Sequence, residues 1–304
     1  MNRVFKKIAY ALVTIFLAIT TIFFVIRLAP GDPVEGILGP KATGLEILRV
    51  KKQLGLDLSL STQYFIYIKN LVQGDMGRSL FGAKNITTLL TERMKPTIIL
   101  ACVTVPISAL LGTFFGFWAG VRKSRTFDTF SRLLSLFALS FPIFSLAPLL
   151  VYIFAIKMNW LPVSEWGDFR HAILPALTLI IPLSAVVMRV ARNKYLEEVH
   201  TQWVMVSRAK GLSEMAILLR LLKVCLPTIL TVVSIQLSVV IAGTMITETI
   251  FDIPGMGSLL FEGIQNRDYP IVQAVILYST MMYMFIYFLI DFVNEKLDPR
   301  IQVE

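Results

Sequence analysis

The chain of 304 residues is short of charge, carries two cysteines and two histidines, and has no Gly-Lys dipeptide. Each shortage excludes something. Asp, Glu, Lys and Arg make up 16% of the residues while 56% are hydrophobic, and the mean hydropathy is +0.71. Soluble proteins carry about a quarter charged residues, so a water-soluble globule is excluded and an integral membrane protein is expected. Without Gly-Lys there is no Walker-A phosphate loop, so ATP is not bound here in the P-loop manner. His171 and His200 fall on opposite sides of the membrane in the topology derived below, and Glu197-Glu198-x-His200 lies in a charged stretch that reads as a solvated face. No H-E-x-x-H, Cys/His cluster or Ser/His/Asp set assembles from this inventory. No catalytic residue, metal or cofactor is therefore expected, and an intramembrane enzyme is disfavoured. Cys102 and Cys225 stand far apart beside separate apolar runs and read as small buried hydrophobes rather than a disulfide.

What the sequence has in quantity is apolar length. A bilayer core of about 30 Å takes about 20 apolar residues as a helix. Runs at 8–29, 97–121, 133–156, 172–190, 229–251 and 271–292 meet that length. Each is several times a strand's usual length. The expected fold class is all-α: a polytopic membrane protein with six transmembrane helices. Asn2-Arg3-Val4-Phe5-Lys6-Lys7 before the first run resembles a signal peptide, but the run is too long for an h-region and no A-x-A site precedes Pro30. It reads as an uncleaved first helix. With the amino terminus inside, cytoplasmic segments hold 16 Lys and Arg and the short outer connections hold 3. The long connection from Arg27 to Lys95 is left out, because long loops translocate largely regardless of charge. Amino and carboxy termini are both expected in the cytoplasm. The net charge of +9 is then an orientation signal; the expected partner is the lipid bilayer and not nucleic acid.

Two connections are too structured to be bare loops. The outer one, 30–96, opens on the turn Pro30-Gly31-Asp32-Pro33. Leu45, Leu48, Val50 and Leu54 follow near helical spacing, interleaved with Arg49, Lys51 and Lys52, and Gly74-Asp75-Met76-Gly77 is a second turn. Residues 1–96 are expected to be a first transmembrane helix plus an extracytoplasmic subdomain of short helices. A five-helix core at 97–293 and a cytoplasmic tail at 294–304 complete the chain. The inner connection, about 191–227, is basic. Trp203, Val206, Lys210 and Glu214 recur at three or four, interrupted by Ala209-Lys210-Gly211-Leu212-Ser213. Gly211 suits the end of one short helix, where positive φ is favoured, and Ser213 suits the cap of the next, over 215–223. Such a hairpin either lies on the anionic leaflet or docks on a partner; residue chemistry alone leaves both open.

Charges within the runs are few, as their insertion cost demands. Glu248 is the clearest. Thr244, Thr247, Glu248 and Phe251 fall at helical spacing beside Gly243. They form either a polar stripe along a translocation path, or an interfacial group that reaches water or pairs with a loop cation such as Arg267. Asp291 reads as an interfacial charge. Pro106, Pro142, Pro148, Pro175 and Pro182 can bend their helices, and Ser135, Ser140 and Ser145 either line a path or join helices.

Taken in order, several segments resemble the oligopeptide/dipeptide/nickel permease family of ABC importers. They are Arg27-Leu28-Ala29-Pro30-Gly31-Asp32-Pro33, Gln53-Leu54-Gly55-Leu56-Asp57, Gln73-Gly74-Asp75-Met76-Gly77-Arg78-Ser79-Leu80 and Glu92-Arg93-Met94-Lys95-Pro96-Thr97. The carboxy third adds a run from Glu248 through Ile253-Pro254-Gly255-Met256-Gly257, then Asn266-Arg267-Asp268-Tyr269-Pro270 and Asp298-Pro299-Arg300. Ser207, Arg208, Ala209, Lys210, Gly211, Leu212, Ser213 and Glu214 are similar to the family's cytoplasmic coupling loop. The resemblance implies a permease subunit in a bacterial cytoplasmic (inner) membrane, forming a peptide path with a homologous second permease. It further implies an extracytoplasmic solute-binding protein and two cytoplasmic ABC ATPase subunits that bind the ATP and Mg, with the hairpin docked on one of them. The alternatives are the same architecture importing nickel or another small solute, and an ion-coupled secondary carrier.

Overall fold

A computed structural model describes residues 2–28, 31–39, 42–82, 84–122, 137 and 140–297. Among the described residues the chain is helical without strands, with one isolated bridge between Arg78 and Asn85. The first helices are α1 (Asn2–Leu28), α2 (Pro33–Leu38), α3 (Gly44–Gln53), α4 (Leu60–Val72) and α5 (Ile86–Val121). Next come α6 (Ile143–Leu150), which runs into a π-helical stretch at Val151–Lys157, then α7 (Phe169–Val199), α8 (Gln202–Ala209) and α9 (Glu214–Ala242). The last are α10 (Met245–Ile250), α11 (Met256–Gln265) and α12 (Tyr269–Leu297). The chain divides into two compact units, Met1–Lys95 with Pro254–Met282, and Pro96–Ile253 with Tyr283–Glu304.

The first unit joins short capped helices to the beginnings of two long ones. The Glu46 carboxylate reaches back to accept the backbone N–H of Thr43 at 2.9 Å and its hydroxyl at 2.7 Å, which starts α3; this matches orphan donors at a helix start. Lys51, in the last turn of α3, pairs with Asp32 at 2.5 Å. Burial opposes charge on Asp32, but the Lys51 ammonium and the Val34 N–H outweigh it and hold its carboxyl below the usual range. Ile86, Leu89 and Leu90 of α5 pack with Met256 and Leu259 of α11 and with Ile271, Ala274 and Val275 of α12. Asp268, 1% exposed, ties this core to the connection before α5. Its carboxylate accepts the Ser79 hydroxyl at 2.5 Å, the Leu80 N–H at 3.0 Å and the Ile271 N–H at 3.3 Å.

In the second unit, α5 and α7 approach at a row of glycines four residues apart. A Cβ on Gly112 would lie 2.6 Å from Val187 Cβ, one on Gly116 2.6 Å from the Met188 carbonyl oxygen, and one on Gly120 2.4 Å from the Tyr195 ring. Lipid tails supply no hydrophobic drive between helices, so close backbone packing of this kind is what holds them. Below this seam, Val187, Ala191 and Tyr195 cluster with Val204 of α8 and with Ile217, Leu221, Cys225 and Ile229 of α9. A second cluster joins Leu100 and Val105 of α5 to Leu146 and Ala147 of α6, Leu174 and Leu179 of α7, and Phe251 and Ile253.

Among the described residues five helices are long and apolar enough to cross a membrane: Phe5–Leu28, Ile86–Val121, Phe169–Val199, Glu214–Ala242 and Tyr269–Val293. The expected run at 133–156 appears as the shorter apolar helix Ile143–Lys157; Ser135 lies outside the described residues, as do Pro30 and residues 298–300. The expected span at 229–251 is corrected. Its helix starts at Glu214 and stops at Ala242, because Gly243 takes φ +113° and a new short helix follows. Pro142 sits ahead of α6 rather than inside a helix. Cys225 is buried as expected, but Cys102 is exposed.

Removing the Asp268 carboxylate strands the Leu80 and Ile271 backbone N–H groups, which cannot turn elsewhere, while the Ser79 hydroxyl keeps the Phe81 carbonyl at 2.7 Å. Asp268→Ala is expected to destabilise the protein by about 2–4 kcal/mol, against about 1 kcal/mol for Ser79→Ala. Melting of the two variants in detergent checks the ratio.

Candidate functional site

The segment from Ser207 to Glu214 folds as a closed hairpin. At the end of α8 the Gly211 N–H donates to the Arg208 carbonyl at 2.9 Å and the Leu212 N–H to the Ser207 carbonyl at 3.2 Å. This is a Schellman closure, which needs a left-handed residue; Gly211 supplies it at φ +75°. Ser213 then caps α9, its hydroxyl accepting the Ala216 N–H at 3.3 Å. Across the turn Arg208 Nε donates to Glu214 Oε1 at 2.9 Å and Nη2 to Oε2 at 3.2 Å. The bidentate contact stabilises the guanidinium charge and raises its pKa further above the already high arginine value. Val204, Ser207, Ile217 and Leu221 face inward, and the Ser207 hydroxyl donates to the Trp203 carbonyl at 2.7 Å. Ala209, Lys210, Gly211, Ser213 and Glu214 are exposed and Leu212 is half-buried. Met205, Val206, Met215 and Leu219 add a large apolar area that the chain does not cover.

Sequence reasoning placed the glycine and the cap but missed two features. The second hairpin helix does not end at residue 223; it is the start of the 29-residue α9 and runs straight through Pro227. The Arg208–Glu214 clasp was also missed, although opposite charges flanking a glycine turn were visible.

Thr244, Thr247 and Glu248 come together at the break after α9. Gly243 ends that helix, Thr244 precedes α10, and Glu248 sits within it. Glu248 has no exposed surface. One of its oxygens accepts the hydroxyl of Thr97, 151 residues away in sequence, at 2.9 Å. Its backbone carbonyl accepts the Ile253 N–H at 2.8 Å. The hydroxyl oxygens of Thr244 and Thr247 are buried without a hydrogen-bond partner among the described residues. In this conformation Thr247 and Glu248 are enclosed by protein and Thr244 is half-buried, and no pattern in the sequence pointed to Thr97. Among the described residues no three His, Cys, Asp or Glu side chains gather as a metal site.

A buried carboxylate depends on the groups that hydrogen-bond it. Glu248→Gln keeps an acceptor for Thr97, whereas Glu248→Ala leaves both an unmatched donor and a cavity. The alanine variant is expected to lose about 2 kcal/mol more stability than the glutamine variant, measured by melting in detergent.

Comparison with known proteins gives this geometry its context. The chain is 36% identical over 312 residues to the "Probable peptide ABC transporter permease protein y4tP" of Sinorhizobium fredii, across 99% of this chain and 98% of that protein. It is 31% identical over 303 residues to the "Glutathione transport system permease protein GsiC" of Escherichia coli strain K12, across 99% of each. Among solved structures, a chain of "Inward facing conformations of the MetNI methionine ABC transporter: CY5 native crystal form" superposes with a TM-score of 0.59 at 18% identity. That superposition covers 70% of this chain and 97% of that one; at such identity the likeness concerns the fold alone. Residues 1–101 match the family described as "Binding-prot-dependent transport system membrane comp, N-term". Residues 112–303, which hold the hairpin and the Glu248 helix, match "Binding-protein-dependent transport system inner membrane component". The chain therefore belongs to the binding-protein-dependent transport system inner membrane components: it is a multi-pass membrane permease of an ABC importer, whose ATP is hydrolysed by separate ATPase subunits.

Proposed function

We propose that this permease pairs with a homologous second permease to form a path for peptides across a bacterial cytoplasmic membrane. An extracytoplasmic binding protein hands over the solute, and two cytoplasmic ATPase subunits bind the ATP and Mg. Peptide as solute is supported by the names of the similar permeases, one for peptides and one for glutathione, itself a short peptide. In this reading the chain crosses the membrane six times with both termini in the cytoplasm, its first 96 residues ending in an extracytoplasmic subdomain. Thr247 and Glu248 reach solute only when α10 moves from its enclosed position, with Thr244 at its start half-buried beside them.

The hairpin carries the proposal. It presents exposed apolar side chains on a turn stiffened by the Schellman closure, the Ser213 cap and the Arg208–Glu214 clasp. It continues without a break into α9, a helix about 40 Å long at 1.5 Å per residue. A push on the hairpin is thereby delivered to Gly243 and the Glu248 helix. A Cβ added to Gly211 meets nothing within 4 Å, so a substitution there does not clash inside the chain.

Gly211→Leu is expected to leave the importer assembled while lowering solute-stimulated ATPase activity and uptake at least tenfold. The left-handed backbone costs a side chain only about 1–2 kcal/mol, too little to unfold the protein. Uptake at the wild-type rate would remove the docking role of the hairpin. Orientation is tested in a chain whose Cys102 and Cys225 are replaced by serine. A cysteine at Gly82 is expected to react with an impermeant maleimide added to intact spheroplasts, and one at Lys210 only after permeabilisation. The opposite labelling overturns the topology.

A further inference from the structure

Beside the last turn of α1 lies a cavity of about 220 Å³ formed within the first unit alone, with Arg27, Gln63, Tyr67, Asn70, Asp75 and Gln273 among its lining residues. Arg27 is the sole formal cation in this lining and Asp75 the sole formal anion. They are not paired. Arg27 Nε donates to Gln63 Oε1 at 3.0 Å and Nη1 to the Phe23 carbonyl at 3.3 Å, while the guanidinium carbon stands 3.6 Å from the Phe23 ring centre. Nη2 has no acceptor among the described residues. Asp75 is exposed and accepts the Gly77 N–H at 2.8 Å instead. Gln273 is 3% exposed, and its Nε2 is buried with no hydrogen-bond partner.

A cation in the last turn of a helix suits the dipole, which accounts for a positive charge at residue 27. It does not account for Gln273. A buried amide left without an acceptor costs about 1–3 kcal/mol, and here that amide shares a cavity wall with an unmatched guanidinium N–H, a phenol and a second amide. The one buried polar atom of this lining left without a partner, Gln273 Nε2, is a donor, and the guanidinium beside it carries only donors. A ligand that brings acceptor oxygens and one negative charge satisfies both, and a guanidinium edge matches a carboxylate in geometry as well as charge. A phosphate dianion fits worse: one arginine leaves half its charge unmatched, and Asp75 at the exposed side opposes it.

We propose that this cavity is a binding site for a small carboxylate, held by Arg27 and Gln273 with Tyr67 and Asn70 beside them. The site stands apart from the identity of the transported solute, since it rests on the donors of the first unit alone.

The test is thermal melting of the full chain, purified with its partner subunits, in the presence of N-acetylglycine, its neutral isostere N-acetylglycinamide, or inorganic phosphate. N-acetylglycine is expected to raise the midpoint saturably, by at least ~2 °C, as a ligand of the folded state does. The amide and phosphate at equal concentration are expected to raise it by less than half as much. Arg27→Gln and Gln273→Leu should each abolish the rise. Arg27 also packs on Phe23, so Gln273→Leu and the ligand series on the unaltered chain decide the matter if the arginine variant does not fold. The proposal is overturned if N-acetylglycine gives no saturable rise, if the amide or phosphate reaches half its effect or more, or if the rise survives Gln273→Leu.

Discussion

The second unit depends on how near α5 and α7 can come to each other. At Gly112, Gly116 and Gly120 the partner helix occupies the space where a Cβ would stand. In lipid, that proximity is the stabilising term, because burial of apolar surface gains nothing when the surroundings are themselves apolar. The seam reaches Tyr195, whose ring lies against Gly120 and meets Phe117 edge-on at 5.3 Å. Tyr195 also belongs to the cluster beneath the hairpin, with Val204, Ile217 and Leu221. The packing of two long helices and the seating of the exposed turn are thus one continuous contact.

That continuity suits a protein whose energy source lies elsewhere. As a permease of an ABC importer the chain hydrolyses no ATP, so its task is mechanical. Stiff local geometry at the hairpin, a single helix from Glu214 to Ala242 and a break at Gly243, which takes φ +113°, form a rod with a defined joint. The polar cluster at that joint is closed here, with Glu248 bound to Thr97 and two threonine hydroxyls left over. Unmatched buried hydroxyls are a modest local cost, and they mark the place where the packing is least committed to its present arrangement.

The sequence made the all-helical class legible because apolar runs of this length admit no other reading, and it made the turn at Gly211 legible because left-handed backbone has few residues to choose from. It did not reveal where long helices end. Hydropathy falls off at the edge of the apolar run, while hydrogen bonding continues for as long as no residue breaks it; α9 therefore starts 15 residues before the expected span, at the Ser213 cap, and stops at Gly243 inside it. Residues Ile143–Lys157 illustrate the opposite failure, since apolar composition concealed a change of helical pitch at Val151. At the candidate site, Thr97 and Glu248 meet across 151 residues, and a single sequence carries no signal for such a pair. Arg27 was visible as part of a turn motif, but Gln273 was not, because an amide in an apolar helix looks the same whether or not it has a partner.

The first unit is assembled from both ends of the polypeptide, and Asp268 joins them by receiving Ser79 and Leu80. A ribosome delivers these segments far apart in time. The opening 95 residues must wait, inserted but unfinished, while residues 96–253 of the second unit are synthesised, and they acquire their missing wall only when the penultimate stretch of chain emerges. Ordering of the amino-terminal third is consequently a late event in biogenesis, and a nascent chain halted before residue 254 leaves that third without its anchor.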